Sequence, residues 1–255
     1  MAVLEGLEFY ISKRAGRAVI DHRMIDDGDR IAVAVSGGKD SLTLLRILAD
    51  RRKFVPIHYD IVAVHVDFGF HPRETQELVR FFKRLKVPYV IEKSDVLKKT
   101  DPKKINCFWC SWNRRKTLFC VADRLKCVKV AFGHHKDDIA QTMLMNLFFH
   151  GEISTMCPRQ EMFGGKIVII RPLAYVDESM IRQFSRQQKF KTVSCRCPHA
   201  DLSKRRMVKG IIADIAKICP EITTNILKST GRIKKDYLGA MPIGDIIDLK
   251  KKEAK

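Results

Sequence analysis

Six consecutive residues, Ser36-Gly37-Gly38-Lys39-Asp40-Ser41, carry the densest chemistry in the 255-residue chain. Two glycines let the backbone approach an anion closely, two hydroxyls add donors, and Lys39 adds a point charge. Asp40 is the odd member, because a carboxylate beside phosphates makes sense mainly when a divalent cation bridges them. Val33 stands where a Walker A loop requires glycine, and the G-x-G-x-x-G pattern is absent. The segment reads as a phosphate cradle of another kind, with a plain glycine turn as the bland alternative. Two more polar segments are Val66-Asp67-Phe68-Gly69 and Gly133-His134-His135-Lys136-Asp137-Asp138. Taken alone, His134 and His135 suit capping or core roles as well as ligation. Asp137 and Asp138 likewise suit a helix start as complements of its dipole.

Thiols are the second chemistry. Of eight cysteines, Cys120, Cys127, Cys157 and Cys219 are scattered and read as small buried hydrophobes. The others form two pairs, Cys107/Cys110 and Cys195/Cys197. The Cys107-Phe108-Trp109-Cys110 spacing lets both sulfurs address one metal. Arg114, Arg115 and Lys116 nearby favour the thiolate form. A redox pair, a structural zinc closed by all four sulfurs, and an iron–sulfur cluster all remain open on spacing alone.

Positioning these groups requires an alternation of strands and helices. Short β-branched runs at Ile31–Val35, Ile61–Val66, Val87–Ile91, Val128–Phe132 and Lys166–Ile170 predict strands, the first of the continuous apolar kind expected when both sheet faces are covered. Helices are predicted near residues 3–23, 40–50, 74–85, 111–125, 137–149 and 177–188, the last with Asp177 as its cap. The phosphate loop and the His-His segment thus each follow a strand and open a helix. This alternation argues for an α/β fold, a parallel sheet with helices on both faces. The expected organisation is an N-terminal helix (1–24), a nucleotide-binding domain carrying the cysteines (25–200), and a helical, basic C-terminal extension (201–255).

Charge points at the partner. Lys plus Arg is 48 against 29 acidic residues, a formal charge of +19. Residues 98–129 hold a net +8, residues 186–255 a net +10, and the remaining 153 residues only +1. Two basic blocks on a near-neutral body suggest a polyanion, nucleic acid first; a solvated lysine tail is the alternative for the final residues. The 45% hydrophobic content excludes a disordered chain. No run approaches the about 18 apolar residues of a membrane span, and Glu5 and Glu8 interrupt the N-terminus in a way unlike a signal peptide. A cytoplasmic protein with reduced thiols is expected.

With its SGGKDS loop the chain resembles the PP-loop ATP pyrophosphatase superfamily. That resemblance implies a PP-loop ATPase fold of the adenine nucleotide alpha hydrolase type. ATP would then be bound by Ser36, Gly37, Gly38, Lys39, Asp40, Ser41, Val66, Asp67 and Gly133 and split between its α and β phosphates. It also implies that Asp137 or Asp138 joins Asp40 in holding Mg²⁺ or orienting substrate, while His134 and His135 stabilise the α-phosphate or leaving group. Five features together are similar to the tRNA 2-thiocytidine synthetase (TtcA) family. They are SGGKDS, Cys107–Cys110 with Arg114–Arg115, residues 133–138, Arg171-Pro172-Leu173, and Cys195/Cys197. The resemblance implies a [4Fe-4S] cluster on Cys107, Cys110 and Cys197, with Cys195 as the alternative third ligand. It further implies a two-step thiolation, in which ATP adenylates a base carbonyl and sulfur then replaces the oxygen at an iron left open by three cysteines. The expected partners are tRNA, held by Arg114, Arg115, Lys116, Arg171, Lys204, Arg205 and Arg206, and a sulfur donor, either a cysteine desulfurase or inorganic sulfide. A homodimer is left open. Three rivals stand beside this reading: a TtuA-type 2-thiouridine synthetase, a lysidine synthetase-like ligase, and a zinc-bound nucleic-acid-binding protein with a degenerate ATP site.

Overall fold

A computed structural model describes residues 6–69, 72–94, 107–192 and 204–237. Six strands form one sheet: β1 (Asp29–Ala34), β2 (Tyr59–Asp67), β3 (Tyr89–Lys93), β4 (Lys129–Ala131), β5 (Arg159–Met162) and β6 (Ile167–Ile170). Their order is β3-β2-β1-β4-β6-β5. Every pairing is parallel except β5 with β6, which is antiparallel at the edge. The predicted parallel sheet is therefore mostly parallel. β5 escaped the sequence reading because Arg-Gln-Glu-Met is short and polar, as a solvent-facing edge strand can be.

The helices are α1 (Gly6–Asp21), α2 (Lys39–Arg51), α3 (Pro72–Arg84), α4 (Cys107–Arg124), α5 (Lys136–His150), α6 (Glu178–Gln187), α7 (Lys204–Ala216) and α8 (Ile222–Ser229). Strand alternation divides them between the faces. Ile31 and Val33 point into a core shared with α1, α2, α3 and α6. Ala32, Val64, Val66 and Val130 point the other way, onto Leu118, Phe119, Val121 and Ala122 of α4. Val208 and Ile212 of α7 close a smaller cluster against Ala140 of α5.

Two helix starts differ from expectation. Helix α4 begins at Cys107, so the first cysteine pair lies within its opening turn and not ahead of it. Asp177 is the N-cap of α6, but its carboxylate pairs with Arg14 and Lys136. The cap comes from elsewhere, since the Glu178 N–H donates to Asp137 Oδ2 at 2.8 Å. Among the described residues no helix is long and apolar enough to cross a membrane.

Candidate active site

The chain runs β1, β2, β3 outward in one direction and returns through β4 on the other side of β1. The carboxyl ends of β1 and β4 therefore flank the switch point, where open α/β sheets take ligands. The Ser36–Ser41 loop leaves β1 there, and the Gly133–Asp138 segment leaves β4.

The phosphate loop is tied to itself. Gly37 turns with φ of 90°, a conformation that favours glycine. The Ser36 N–H donates to Ser41 Oγ (3.2 Å), the Gly38 N–H to Ser36 Oγ (3.3 Å), and the Ser41 hydroxyl to Gly38 O (3.0 Å). Gly38 is the N-cap of α2 and has no side chain to cover the first-turn amides, which stay available to an anion. Behind the loop, His65 Nδ1–H donates to Val35 O at 2.7 Å, and burial pulls this imidazole below its usual pKa. Helix α2 itself is anchored by Leu44, Leu45, Ile47 and Leu48, all fully buried. Each contributes about 1.5–3 kcal/mol of burial, so the helix N-terminus is a fixed donor array.

Gly133 brings the second loop against the first. A Cβ there would lie 2.9 Å from Asp40 C and Ser41 N, which backbone atoms cannot tolerate. Ser36, Asp40 and Ser41 then share one cleft with Val64 and Val66 of β2 and with Gly133, His134 and Asp138. Its remaining wall is α4, through Ser111, Arg114, Arg115 and Leu118. Thus the turn that follows Cys107 and Cys110 faces the same space as the phosphate loop. Asp67 stands just behind Val66, accepting the Gly69 N–H (2.7 Å) and the Thr75 hydroxyl (3.2 Å).

The two histidines have opposite surroundings. His135 is 4% exposed in its side chain, with Asp40 (3.6 Å) and Asp138 (3.4 Å) facing Nε2 and Asp137 (3.6 Å) facing Nδ1. Burial lowers its pKa, but the three carboxylates outweigh burial and the net shift is upward. His134 is pushed down to about 4, chiefly by burial and then by Arg171. Its ring stacks on Phe132 with centroids 5.6 Å apart. Asp138 and Asp137 lie on opposite sides of the His135 ring, and only Asp138 lines the cleft.

Basic residues converge from two directions. Arg115 of α4 and Arg205 of α7 both act electrostatically on His134. Arg205 donates to Asp138 Oδ1 at 3.0 Å. Arg114 lies over the Phe68 ring at 5.2 Å, Lys116 over Trp112 at 5.5 Å, and Lys204 over Phe149 at 4.7 Å. Arg206 is exposed on α7. Arg171 is the exception, 5% exposed and hydrogen-bonded inward to His134, the Cys157 carbonyl and Gln160. Arg171, expected to hold RNA, is thus placed inside the fold and not on the exposed basic surface with Lys204, Arg205 and Arg206.

Glu178 had no signal in the sequence. It receives Lys39 (3.2 Å), Lys209 (2.7 Å) and Arg182 (3.2 Å). Burial would raise its carboxyl, yet Lys209 and Lys39 hold it at about 2. Lys39 thus sits between Asp40 (2.9 Å) and Glu178, and desolvation is outweighed so that its pKa rises.

Asp40 and Asp138 offer hard oxygens to a cation arriving with phosphates, the usual mode for Mg²⁺. Among the described residues no three His, Cys, Asp or Glu side chains are already gathered as a metal centre. Cys107 and Cys110 lie in one helical turn, and Cys110 is half-buried and in no disulfide. Cys195 and Cys197 fall outside the described residues.

Comparison with known proteins agrees with this geometry. The model of a PP-loop domain family matches residues 11–209. The tRNA-cytidine(32) 2-sulfurtransferase of Geobacter sulfurreducens is 37% identical over 94% of this chain and 95% of its own length. The enzyme of the same name from Paracidovorax citrulli is 38% identical over 96% of this chain and 80% of its own. Among solved structures, the U34-tRNA thiolase NcsA from Methanococcus maripaludis, with its [4Fe-4S] cluster, shares the fold. Its TM-score is 0.74 at 24% identity, covering 89% of this chain and 79% of NcsA. A chain that closes two strand-to-helix loops on one cleft, and is this similar throughout its length, belongs to the PP-loop domain family and, within it, to the family of the tRNA-cytidine(32) 2-sulfurtransferases.

Proposed function

We propose that this chain is an ATP-dependent tRNA sulfurtransferase that adenylates the C2 carbonyl of a cytidine and replaces its oxygen with sulfur, the C–O bond breaking as AMP leaves with that oxygen. Position 32, the site in the relatives' name, is the target we assign. The observation that carries this reading is the shared cleft: the helix opening with Cys107 and Cys110 supplies, one turn later, a wall of the space that the phosphate loop faces.

The first-turn amides of α2, with Ser36 and Ser41, hold the ATP phosphates, and Lys39 neutralises them from the same turn. Val66, Asp67 and Gly133 border the adenosine. The base oxygen attacks the α-phosphorus, its P–O bond forms as the bond to pyrophosphate breaks, and pyrophosphate leaves into the loop. Positioning and charge neutralisation carry most of such a transfer. Mg²⁺ on Asp40 and Asp138 would supply further neutralisation. His135, set among its carboxylates, keeps Asp40 and Asp138 in place, and Asp137 holds α6 against the site. When bound to Cys107, Cys110 and Cys197, a [4Fe-4S] cluster supplies a Lewis-acidic iron to which sulfur can be delivered. A cysteine desulfurase or inorganic sulfide is the sulfur source. Arg114, Arg115, Lys116, Lys204, Arg205 and Arg206 grip the tRNA backbone, and the target base is unstacked to reach the cleft. The cytoplasm, where tRNA matures, is the expected location.

Nucleoside mass spectrometry of tRNA from a deletion strain tests the proposal. The expected result is loss of 2-thiocytidine, restored by the wild-type gene but not by Asp40→Ala or Cys107→Ala. Loss of 2-thiouridine or lysidine instead would assign the chain to a rival activity. Purified protein containing zinc without iron or acid-labile sulfide would overturn the cluster.

A further inference from the structure

Arg171 has the features of a residue that works through its neighbour. It follows β6, is 5% exposed, and is not among the residues lining the cleft. Its Nε–H donates to His134 Nδ1 at 3.3 Å, while its Nη groups reach the Cys157 carbonyl and Gln160 Oε1 (3.5 Å). Those last two contacts fix the guanidinium plane, so the Nε–H has one direction. His134, which does line the cleft, is held a second way by stacking on Phe132, with the rings 17° apart.

We propose that Arg171 is a positioning residue that fixes His134 as a neutral imidazole whose proton is on Nε2, making it a hydrogen-bond donor toward the nucleotide in the cleft. A guanidinium can only donate, so Nδ1 must accept and cannot carry the proton. In a neutral ring the proton is then on Nε2, on the side away from Arg171. A ring in this state has no lone pair left for the cleft. His134 therefore cannot take a proton from substrate, and its contribution is a donor aimed at developing phosphate charge. Burial and the adjacent guanidinium, which push its pKa to about 4, agree with this state.

This inference rests on reading the cleft as the ATP site, and its test separates the two. Long-range ¹H–¹⁵N correlation of histidine-labelled holoenzyme, with the His134 signals assigned through His134→Asn, reports the tautomer directly. The expected pattern is a protonated Nε2 and an unprotonated Nδ1; a protonated Nδ1 would overturn the proposal even if every Arg171 variant fails to fold. Kinetics supply the second readout. Arg171→Met should lower kcat for pyrophosphate release by about 10- to 100-fold with the KM for ATP changed less than about 3-fold. Arg171→Lys, which keeps a charged donor, should recover part of kcat. A loss confined to KM, or none at all, would overturn the proposal. Failure of the thiolation reading would appear elsewhere, as pyrophosphate release by the wild type without thiolated tRNA.

Discussion

Two adjacent histidines, identical in the sequence, are driven apart by their neighbours, and this has a consequence for stability. His134 is held at about 4 against an ordinary 6.5, so the folded state binds fewer protons than the unfolded chain between those values. Its contribution is fully present above about pH 6.5 and is lost as the pH falls toward 4, on the order of 3 kcal/mol in all. His135 has the opposite sign: its pKa is raised, so its pairing with the carboxylates contributes fully below 6.5 and is lost as the pH rises through the raised value. Glu178, held at about 2, adds a loss between 4.5 and 2. Urea unfolding across this range should show stability falling from pH 6.5 toward 4, with His134→Asn flattening that slope and His135→Asn flattening the alkaline one. Equal acid slopes for wild type and His134→Asn would contradict the burial of a neutral ring.

Loops and helices were legible in the sequence where chemistry and periodicity coincided. The phosphate loop lies in six adjacent residues, and the core strands are apolar because both faces are covered. What escaped depends on partners distant in the chain. Glu178 meets Lys39 from 139 positions away in the sequence and carries no motif of its own. His65 sits in an apolar strand, and only the sheet brings it under Val35. The opening turn of α4 was hidden because Cys-Phe-Trp-Cys has no helix-start signal, yet that turn couples the thiols to the cleft. Gly133 permits the close approach of the two loops. Gly133→Ala would force backbone apart where its Cβ falls 2.9 Å from Asp40 C and Ser41 N. Such overpacking costs about 1–3 kcal/mol, and the displaced loop should raise the KM for ATP by about 10-fold or more. Thermal melting and ATP kinetics measure both; an unaltered KM would show that the loops move independently.

At the scale of the molecule, the net +19 resolves into two basic blocks separated in sequence, and described residues of each meet at the cleft. Arg115 from one and Arg205 from the other both act on His134 across the cleft. If one tRNA lies across both helices, each removed contact should weaken binding and also reduce its salt dependence, by about 0.7–0.9 in the slope of log K against log salt. Lys116 and Lys204 test this, since they belong to different blocks and to α4 and α7 respectively. Lys116→Ala and Lys204→Ala should each lower the slope by close to one unit, and the double variant by the sum, because separate phosphate contacts add. A docking mode that used only one block gives a different result: one single variant would match wild type, and the double would match the other single. Salt titrations of tRNA binding to the three variants distinguish these modes. The additive outcome is the one expected of a protein that presents a base to sulfur and ATP at the same point.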